Sequence, residues 1–592
     1  MAKNTKQNLL NGALILSLSI IAVKLIGVFF KLYVTLKIGY DGKGYYATAY
    51  NIYTPIYSIA LAGLPTAVAK MVASKAAQGR YRDVKNLFSV SRSLFAMTGL
   101  AGTAIILLIT YPYVYTIDSF DSIPAILAIT PSLFFCCVMS GYRGYFQGLQ
   151  NMKPSAASQS IEAVGKLIFG WLLINILFGT GVAFADKIPV LCDIVTNTGE
   201  AYAAAAAISG VTIGSGLALV FLMLRYKFGS DGITGEMLEG SPESESRKAL
   251  RRQLLALAVP IAVSSLVFNV TTLIDNWTIQ NRLKEVLEAG FETVAAMYPG
   301  IVSARGFTAE TANEFKNYLY GAYDTVLEIK NIVPTFTITL GLSAIPVLSR
   351  AWTNKDKASM SRSVQSVVRL TLLLALPAGA ALVALADDLL YLLYGSSEIN
   401  APAIPYIAPI LMMYGVSVIF LALAQPVTNM LQAIDRTDVP IKTMGVGAAV
   451  KIIANFILVS IPSINIQGAV IGTFLCNIIM VVCGMWVLKK ETGLKLSLSV
   501  TFIKPAVCAV LSGLAGFAVN GLCEKFLPEE GLTSLMSFLN VNNISVAVAG
   551  VTMVGVYAVS LFAVRALTKE DIIMLPKGEK IAKVLEKYRL LG

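Results

Sequence analysis

The sequence predicts an all-α polytopic membrane protein with fourteen transmembrane helices, and three observations carry that prediction. Hydrophobic residues make up 56% of the 592-residue chain and charged residues only 14%, with a mean hydropathy of +0.69, well outside soluble composition. The apolar residues come in runs of about twenty, the helical length that crosses about 30 Å of hydrocarbon. Lysine and arginine gather in alternate connections between those runs, the bias that orients a multi-span protein.

The N-terminus, Met1 to Ala22, mimics a signal peptide and runs into the first apolar run, 9–36. That run is long and no cleavage site precedes a soluble region, so it reads as an uncleaved first span. The others lie at 49–70, 92–114, 125–147, 157–178, 201–225, 256–281, 325–350, 366–387, 405–432, 443–461, 466–488, 500–522 and 544–565. Prolines such as Pro55, Pro260, Pro334, Pro377, Pro409 and Pro426 interrupt many of them, as transporter helices tolerate where neighbours or water re-satisfy the backbone. One set of connections holds Lys70, Lys75, Arg80, Lys85, Arg247, Lys248, Arg251, Lys355, Lys357, Lys489 and Lys490, which puts both termini in the cytoplasm. The net charge of +12 is then a loop bias, and nucleic-acid binding is excluded.

The spans group into a six-helix lobe at 1–225, a cytoplasmic linker at 226–255, a second six-helix lobe at 256–488, two further spans at 489–565 and a cytoplasmic tail at 566–592. An internal repeat supports the two lobes. Phe146-Gln147-Gly148-Leu149 and Leu431-Gln432-Ala433-Ile434 each end a span, Pro154 or Pro440 follows, and Gln147 precedes Lys166 by the same nineteen positions that separate Gln432 from Lys451. Parallel duplication of a six-span bundle gives this pattern, with substrate at the interface of the halves. In the long outer connection from Arg282 to Tyr323, Thr311 and Glu314 have capping-box spacing and predict a short helix. Beyond Pro576, Ile581, Val584, Leu585, Tyr588 and Leu591 share one helical face beside Lys580, Lys583 and Lys587, so the tail reads as an amphipathic helix on the anionic inner leaflet or as a solvated one.

Candidate site residues are the charges inside spans: cations Lys24, Lys31, Arg143, Lys166, Lys330 and Lys451, and acids Glu162, Asp275 and Glu328. A mid-bilayer charge costs at least about 2.5–3.5 kcal/mol, so such residues face a cavity or a partner. Lys24, Gly27 and Lys31 fall on one helical face, and Lys24 is near mid-span with no acid within a turn. Lys166 follows Glu162 by four, the spacing of a helical ion pair. Arg143 and Lys330 lie near span ends, where snorkelling competes with function. Asp275, Glu328 and Glu162 could bind a coupling proton or sodium. The Tyr45–Tyr53 segment, with Tyr46 and Tyr50, fits an outer interfacial belt.

There is no histidine, which removes imidazole relays, His-based metal sites and imidazole-dependent hydrolases. Cysteines Cys136, Cys137, Cys476, Cys483 and Cys508 sit in apolar runs without metal-ligand spacing, whereas Cys192 and Cys523 could meet on one outer side. No metal, cofactor or catalytic residue is expected.

Lys24-x-x-Gly27-x-x-x-Lys31 resembles the first-helix basic-x-x-Gly-x-x-basic pattern of the MurJ-type lipid II flippases, with one extra residue before the second cation. Gly39-Tyr-Asp-Gly-Lys-Gly44-Tyr45-Tyr46, Gly63-Leu-Pro65-Thr-Ala-Val-Ala-Lys70, Gly144-Tyr-Phe-Gln147-Gly148 and Ser343-Ala-Ile-Pro346-Val-Leu-Ser349 resemble the stage V sporulation protein B, polysaccharide-transport branch of the same superfamily. The resemblance implies the multidrug/oligosaccharidyl-lipid/polysaccharide (MOP) exporter fold, two six-helix lobes in a V, and alternating access. It implies an undecaprenyl-diphosphate-linked cell-envelope precursor as cargo, lipid II first among them, with Lys24 and Lys31 as diphosphate-binding cations and spans thirteen and fourteen as a polyprenyl groove. The family's acid–arginine pair in the eighth span is not reproduced around Asp324, Glu328 and Lys330. The expectation is a flippase rather than an enzyme, a monomer in the bacterial cytoplasmic membrane, coupled to membrane potential, Na+ or H+. The alternatives are a cation-coupled MATE-like multidrug exporter, which would favour acidic cavity residues, a flippase for another lipid-linked oligosaccharide, a membrane glycosyl or acyl transferase, and an assembly scaffold.

Overall fold

The computed structural model describes residues 2–60, 64–180, 198–494, 499–526 and 540–567; among them the backbone is helical, with turns and no strand. Nine helices of the described residues are long and apolar enough to cross a membrane, and the chain is a multi-pass membrane protein. Cys192 and the tail beyond 567 lie outside the described residues, so neither the Cys192–Cys523 pair nor the amphipathic tail is placed; among the described residues Cys523 forms no disulfide.

The chain forms two compact units, Met1–Lys284 with Glu310–Gly321, and Glu285–Ala309 with Ala322–Gly592. The first holds α1 (Ala2–Ser58), α2 (Leu64–Ala77), α3 (Tyr81–Ile117), α4 (Ile123–Gly148), α5 (Lys153–Thr180), α6 (Thr198–Phe228), the short α7 (Gly235–Glu239) and most of α8 (Arg247–Ala295). The second holds α9 (Pro299–Arg305), the end of α10 (Ala312–Lys330), α11 (Ile332–Thr353), α12 (Lys357–Ala384), α13 (Ala386–Tyr394), α14 (Ile404–Ala433), α15 (Asp438–Leu458), α16 (Gly468–Thr492), α17 (Lys504–Phe526) and α18 (Val541–Ala563). The chain passes between the units inside α8 and α10. The expected runs beyond those nine helices lie on α1, across α1 and α2, on α5, on α8, and across α10 and α11.

Three expected elements differ. The stretch between runs one and two is not a loop: α1 continues through it and turns at Gly39, whose φ of 68° and ψ of −178° are non-helical. A side chain there would be strained, and glycine removes the penalty. The run 325–350 is divided, because α10 ends at Lys330 and α11 begins at Ile332. Pro334 has no N–H to give the Lys330 carbonyl four residues back, which opens the helix at Asn331. A helix does begin beside Thr311, but it is not short: α10 runs nineteen residues, from Ala312 to Lys330, and so enters the run 325–350.

In the first unit α4 is the enclosed helix: 72% of its apolar window is buried, against 28% for α3. It packs on α2, α3 and α6. Glycines set the closest approaches, and the family-like motifs supply them. A Cβ on Gly144 would come within 2.7 Å of the Pro65 carbonyl, and one on Gly148 within 2.6 Å of Val72. Close backbone contact of this kind replaces the hydrophobic drive that hydrocarbon does not offer. The second unit repeats the arrangement with α11 on α14, where a Cβ on Gly341 would lie 2.7 Å from Pro426 and the Ser349 hydroxyl donates to the Ala433 carbonyl at 2.9 Å.

The repeat extends into the turns. After α2, α4, α11 and α14 the chain reverses through a left-handed residue, Gly79, Gln150, Lys355 or Asp435, with φ between 54° and 70°. Each of these N–H groups bonds a carbonyl three residues back, and the next N–H bonds one five back: Gln150 to Gln147 and Asn151 to Phe146, Asp435 to Gln432 and Arg436 to Leu431. This is the Schellman pattern, which satisfies the last carbonyls of a helix.

A candidate anion cavity in the first unit

Glycine contacts also position the charged residues. On α5 and α6 a Cβ on Gly214 would meet the Glu162 carbonyl at 2.6 Å and the Lys166 nitrogen at 2.8 Å, and one on Gly210 would meet Gly170 at 2.5 Å and the Lys166 carbonyl at 2.7 Å. The two backbones are thus pressed together beside Glu162 and Lys166. In the second unit α15 and α16 meet in the same way: a Cβ on Gly472 would lie 3.1 Å from the Lys451 carbonyl and 2.3 Å from Asn455. Lys166 and Lys451, matched by the sequence repeat, therefore sit at matched glycine contacts.

Lys24, Arg143, Glu162 and Lys166 line one cavity of about 510 Å³, with Gly27, Phe30, Tyr50, Tyr53, Tyr57 and Gln159 around them. That volume is in the range of small-molecule sites. Three cations face one carboxylate. Arg143, only 7% exposed, gives its Nη2 to Glu162 at 2.8 Å and its Nε to Ser158 at 2.9 Å; the Ser215 hydroxyl bonds the other Glu162 oxygen at 3.4 Å. The expected Glu162–Lys166 pair is thus replaced. Arginine's fork, held by Ser158, takes the carboxylate from α4, and Lys166 turns to α1, donating to the Tyr50 hydroxyl at 3.0 Å and lying over the Phe30 and Tyr50 rings at 5.0 and 5.4 Å. Lys24 has no ion pair or hydrogen bond among the described residues, and a Cβ on neighbouring Gly27 would meet nothing within 4 Å. The cavity therefore keeps an excess of positive charge with one cation uncommitted.

The tyrosines are where the structure departs most from the sequence reading. Tyr45, Tyr46 and Tyr53 are buried rather than in an outer belt. Tyr46, Tyr50, Tyr53 and Tyr57 form a ladder with ring centroids 4.9, 6.2 and 5.0 Å apart, and the last three line the cavity. The signal was their spacing of four, three and four, a stripe climbing about 16 Å along one helical face, whereas a belt stays at one depth.

The other candidates lie elsewhere. Lys31 is half-buried on α1 and outside the cavity lining. Asp275 is buried in α8. In the second unit Lys330 does not snorkel: it is buried, 3.8 Å over the Tyr414 ring, whose hydroxyl is 2.8 Å from that of Tyr323. Glu328 is half-buried two residues before it, and Lys451 is half-buried on α15.

Outside the spans, the connection from α6 to α8 straps onto the α2–α3 turn. Asp83 accepts from Ser244 and the Glu245 N–H at 2.7 Å each and pairs with Arg80, Lys75 pairs with Glu245, and Asp231 takes Lys85 and the Tyr145 hydroxyl. Burial works against ionised Asp83, but the bonds from Ser244, Arg80 and the Glu245 N–H hold its carboxyl below the usual range.

Long apolar helices, paired repeats and a cation-rich cavity define a polytopic membrane protein with a charged site inside its first unit. Residues 9–352 match the profile "Polysaccharide biosynthesis protein", and residues 332–539 match "Lipid II flippase MurJ". The chain belongs to the polysaccharide biosynthesis protein family. It is 24% identical to stage V sporulation protein B of Bacillus subtilis (strain 168), over 96% of this chain and 98% of that protein, and 24% identical to the lipid II flippase MurJ of the same strain, over 86% and 88%. Among solved structures, an inward-facing MATE-family multidrug transporter of the MOP superfamily aligns with TM-score 0.61 at 12% identity, over 80% of this chain and 94% of that one. Lipid II flippase MurJ in an inward closed conformation aligns with TM-score 0.57 at 14% identity, over 93% and 99%. These two establish the fold.

Proposed function

We propose that the protein is a flippase that carries an undecaprenyl-diphosphate-linked cell-envelope precursor from the inner to the outer leaflet by alternating access, with lipid II as the first candidate cargo. The observation that carries this reading is the cavity of the first unit, where Lys24, Arg143 and Lys166 outnumber Glu162 beside a tyrosine ladder. A diphosphate leaving water must meet cations, since an unpaired charge in a low-dielectric site costs several kcal/mol. Lysine ammoniums serve as point-charge phosphate binders. Tyrosine rings offer flat apolar faces and hydroxyls to a saccharide. A MATE-like exporter of cationic drugs would need free carboxylates, and the cavity's own carboxylate is engaged by Arg143.

The equal identity to two relatives supports a class of cargo rather than one member, so other lipid-linked oligosaccharides stay within the proposal. The protein acts as a monomer in the bacterial cytoplasmic membrane with both termini inside. No cofactor is needed, and transport is driven by membrane potential, Na+ or H+, with Asp275 and Glu328 as ion-coupling candidates. Lys31, Lys451 and Lys330 are further steps of the anion path.

Binding of lipid II and of undecaprenyl-diphosphate sugars to the purified protein, followed by native mass spectrometry, tests this reading. Lys24→Ala and Lys166→Ala are expected to lose the complex at concentrations where wild type holds it. The same variants, expressed normally, should fail to restore growth to a flippase-depleted strain. Equal binding by all three proteins would move the site elsewhere.

A further inference from the structure

A second cavity, of about 360 Å³, lies between α3 and the start of α8, lined by Ser89, Val90, Ser93, Leu94, Met97, Arg247, Lys248 and Arg251. Nearby cations with a structural task are visibly engaged: Lys75, Arg80 and Lys85 pair with Glu245, Asp83 and Asp231. Arg247, Lys248 and Arg251 are not. No ion pair or hydrogen bond meets their side chains among the described residues, no acid stands in the first turn of α8, and all three are exposed around the same opening. Three like charges at the positive end of a helix oppose its dipole. That arrangement is relieved by an anion.

The floor of the cavity says what kind of anion. Two serines, Ser89 and Ser93, line it with the three cations, and the rest of the lining is apolar through Val90, Leu94 and Met97. From Met97 an exposed stripe continues along α3 through Leu100 and Leu108, which are 60% and 75% exposed, at helical spacing on one face. A polar, cationic head space opening onto an apolar track is complementary to a phosphate group that carries acyl chains.

We infer that Arg247, Lys248 and Arg251 of α8, with Ser89 and Ser93 of α3, form a binding site for an anionic phospholipid of the surrounding leaflet, the phosphate between the two helices and a chain along Met97, Leu100 and Leu108. The site is separate from the Lys24 cavity and shares no lining residue with it. Each basic residue near an anionic lipid surface is worth about fivefold in affinity, so loss of all three weakens the site by about a hundredfold.

The test uses the full chain in nanodiscs of phosphatidylcholine doped with phosphatidylglycerol, with retained phosphatidylglycerol counted by native mass spectrometry. The variant Arg247→Gln/Lys248→Gln/Arg251→Gln should lose the retained phosphatidylglycerol. The charge-matched control Arg252→Gln/Lys355→Gln/Lys357→Gln should keep it. Ser89→Asp, which leaves α8 untouched and brings a carboxylate to the cavity, should also lose the lipid while keeping the wild-type melting temperature. Retention unchanged in the α8 triple variant, or equal loss in the control, overturns the site. Displacement of the retained lipid from wild type by millimolar inorganic phosphate overturns the lipid as occupant. Lipid II binding by the α8 variant is expected to match wild type, which separates this failure from failure of the flippase reading.

Discussion

Arg143, Lys166 and Lys24 bring the same charge into one cavity but stand in three different electrical situations. Arg143 is locked to Glu162 and Ser158, Lys166 rests on aromatic faces and one hydroxyl, and Lys24 meets no protein partner among the described residues. Removing Arg143 strands a carboxylate that is 21% exposed, so Arg143→Ala should destabilise the protein by about 3–5 kcal/mol, toward the lower end because Glu162 is not fully enclosed. Glu162→Gln added to Arg143→Ala should recover much of that loss, read as melting temperature in detergent. The place of Lys24 in an apolar run and the recurrence of Lys166 and Lys451 can be read from the sequence, because charge in such a run has few explanations. The Glu162 partner cannot. Spacing within α5 favoured Lys166, and only the packing of α4 on α5 brings Arg143 into reach.

Helix pairs carry these residues by backbone contact. Gly210→Val would place side-chain carbon where Gly170 and Lys166 already stand, at 2.5 and 2.7 Å, and α5 would have to part from α6. Overpacking of this sort costs about 1–3 kcal/mol, and the displacement of Lys166 should weaken lipid-diphosphate binding with it. Gly555→Val on α18, where a Cβ meets nothing within 4 Å, is the matched substitution expected to change neither melting nor binding. Nine of the expected spans coincide with long apolar helices of the described residues, readable because twenty-residue apolar runs are forced by bilayer thickness. Kinks and divisions were less so: Gly39 and Pro334 act through one φ angle and one missing N–H, signals too local for a hydropathy window. The tyrosine ladder was misplaced for a related reason, since composition alone does not distinguish a belt from a stripe.

At the scale of the whole molecule, a chain without histidine has few groups to titrate near neutrality. Asp388 on α13 is one. Burial first, then the Glu524 carboxylate and Asp387, push its carboxyl up to about 6, while Asn520 of α17 bonds it at 2.9 Å. A carboxyl raised in the folded state stabilises most below its unfolded value, and that contribution is lost as pH rises through the folded one. Melting temperature should therefore fall as pH rises from about 4 to about 6, and Asp388→Asn should flatten that slope; an unchanged slope would place its origin elsewhere. The four left-handed turns after α2, α4, α11 and α14 have a consequence in time rather than in space. Each closes with bonds that span no more than five residues, so a pair of helices can finish its hairpin as soon as its second member is synthesised, and the membrane can receive the chain two helices at a time.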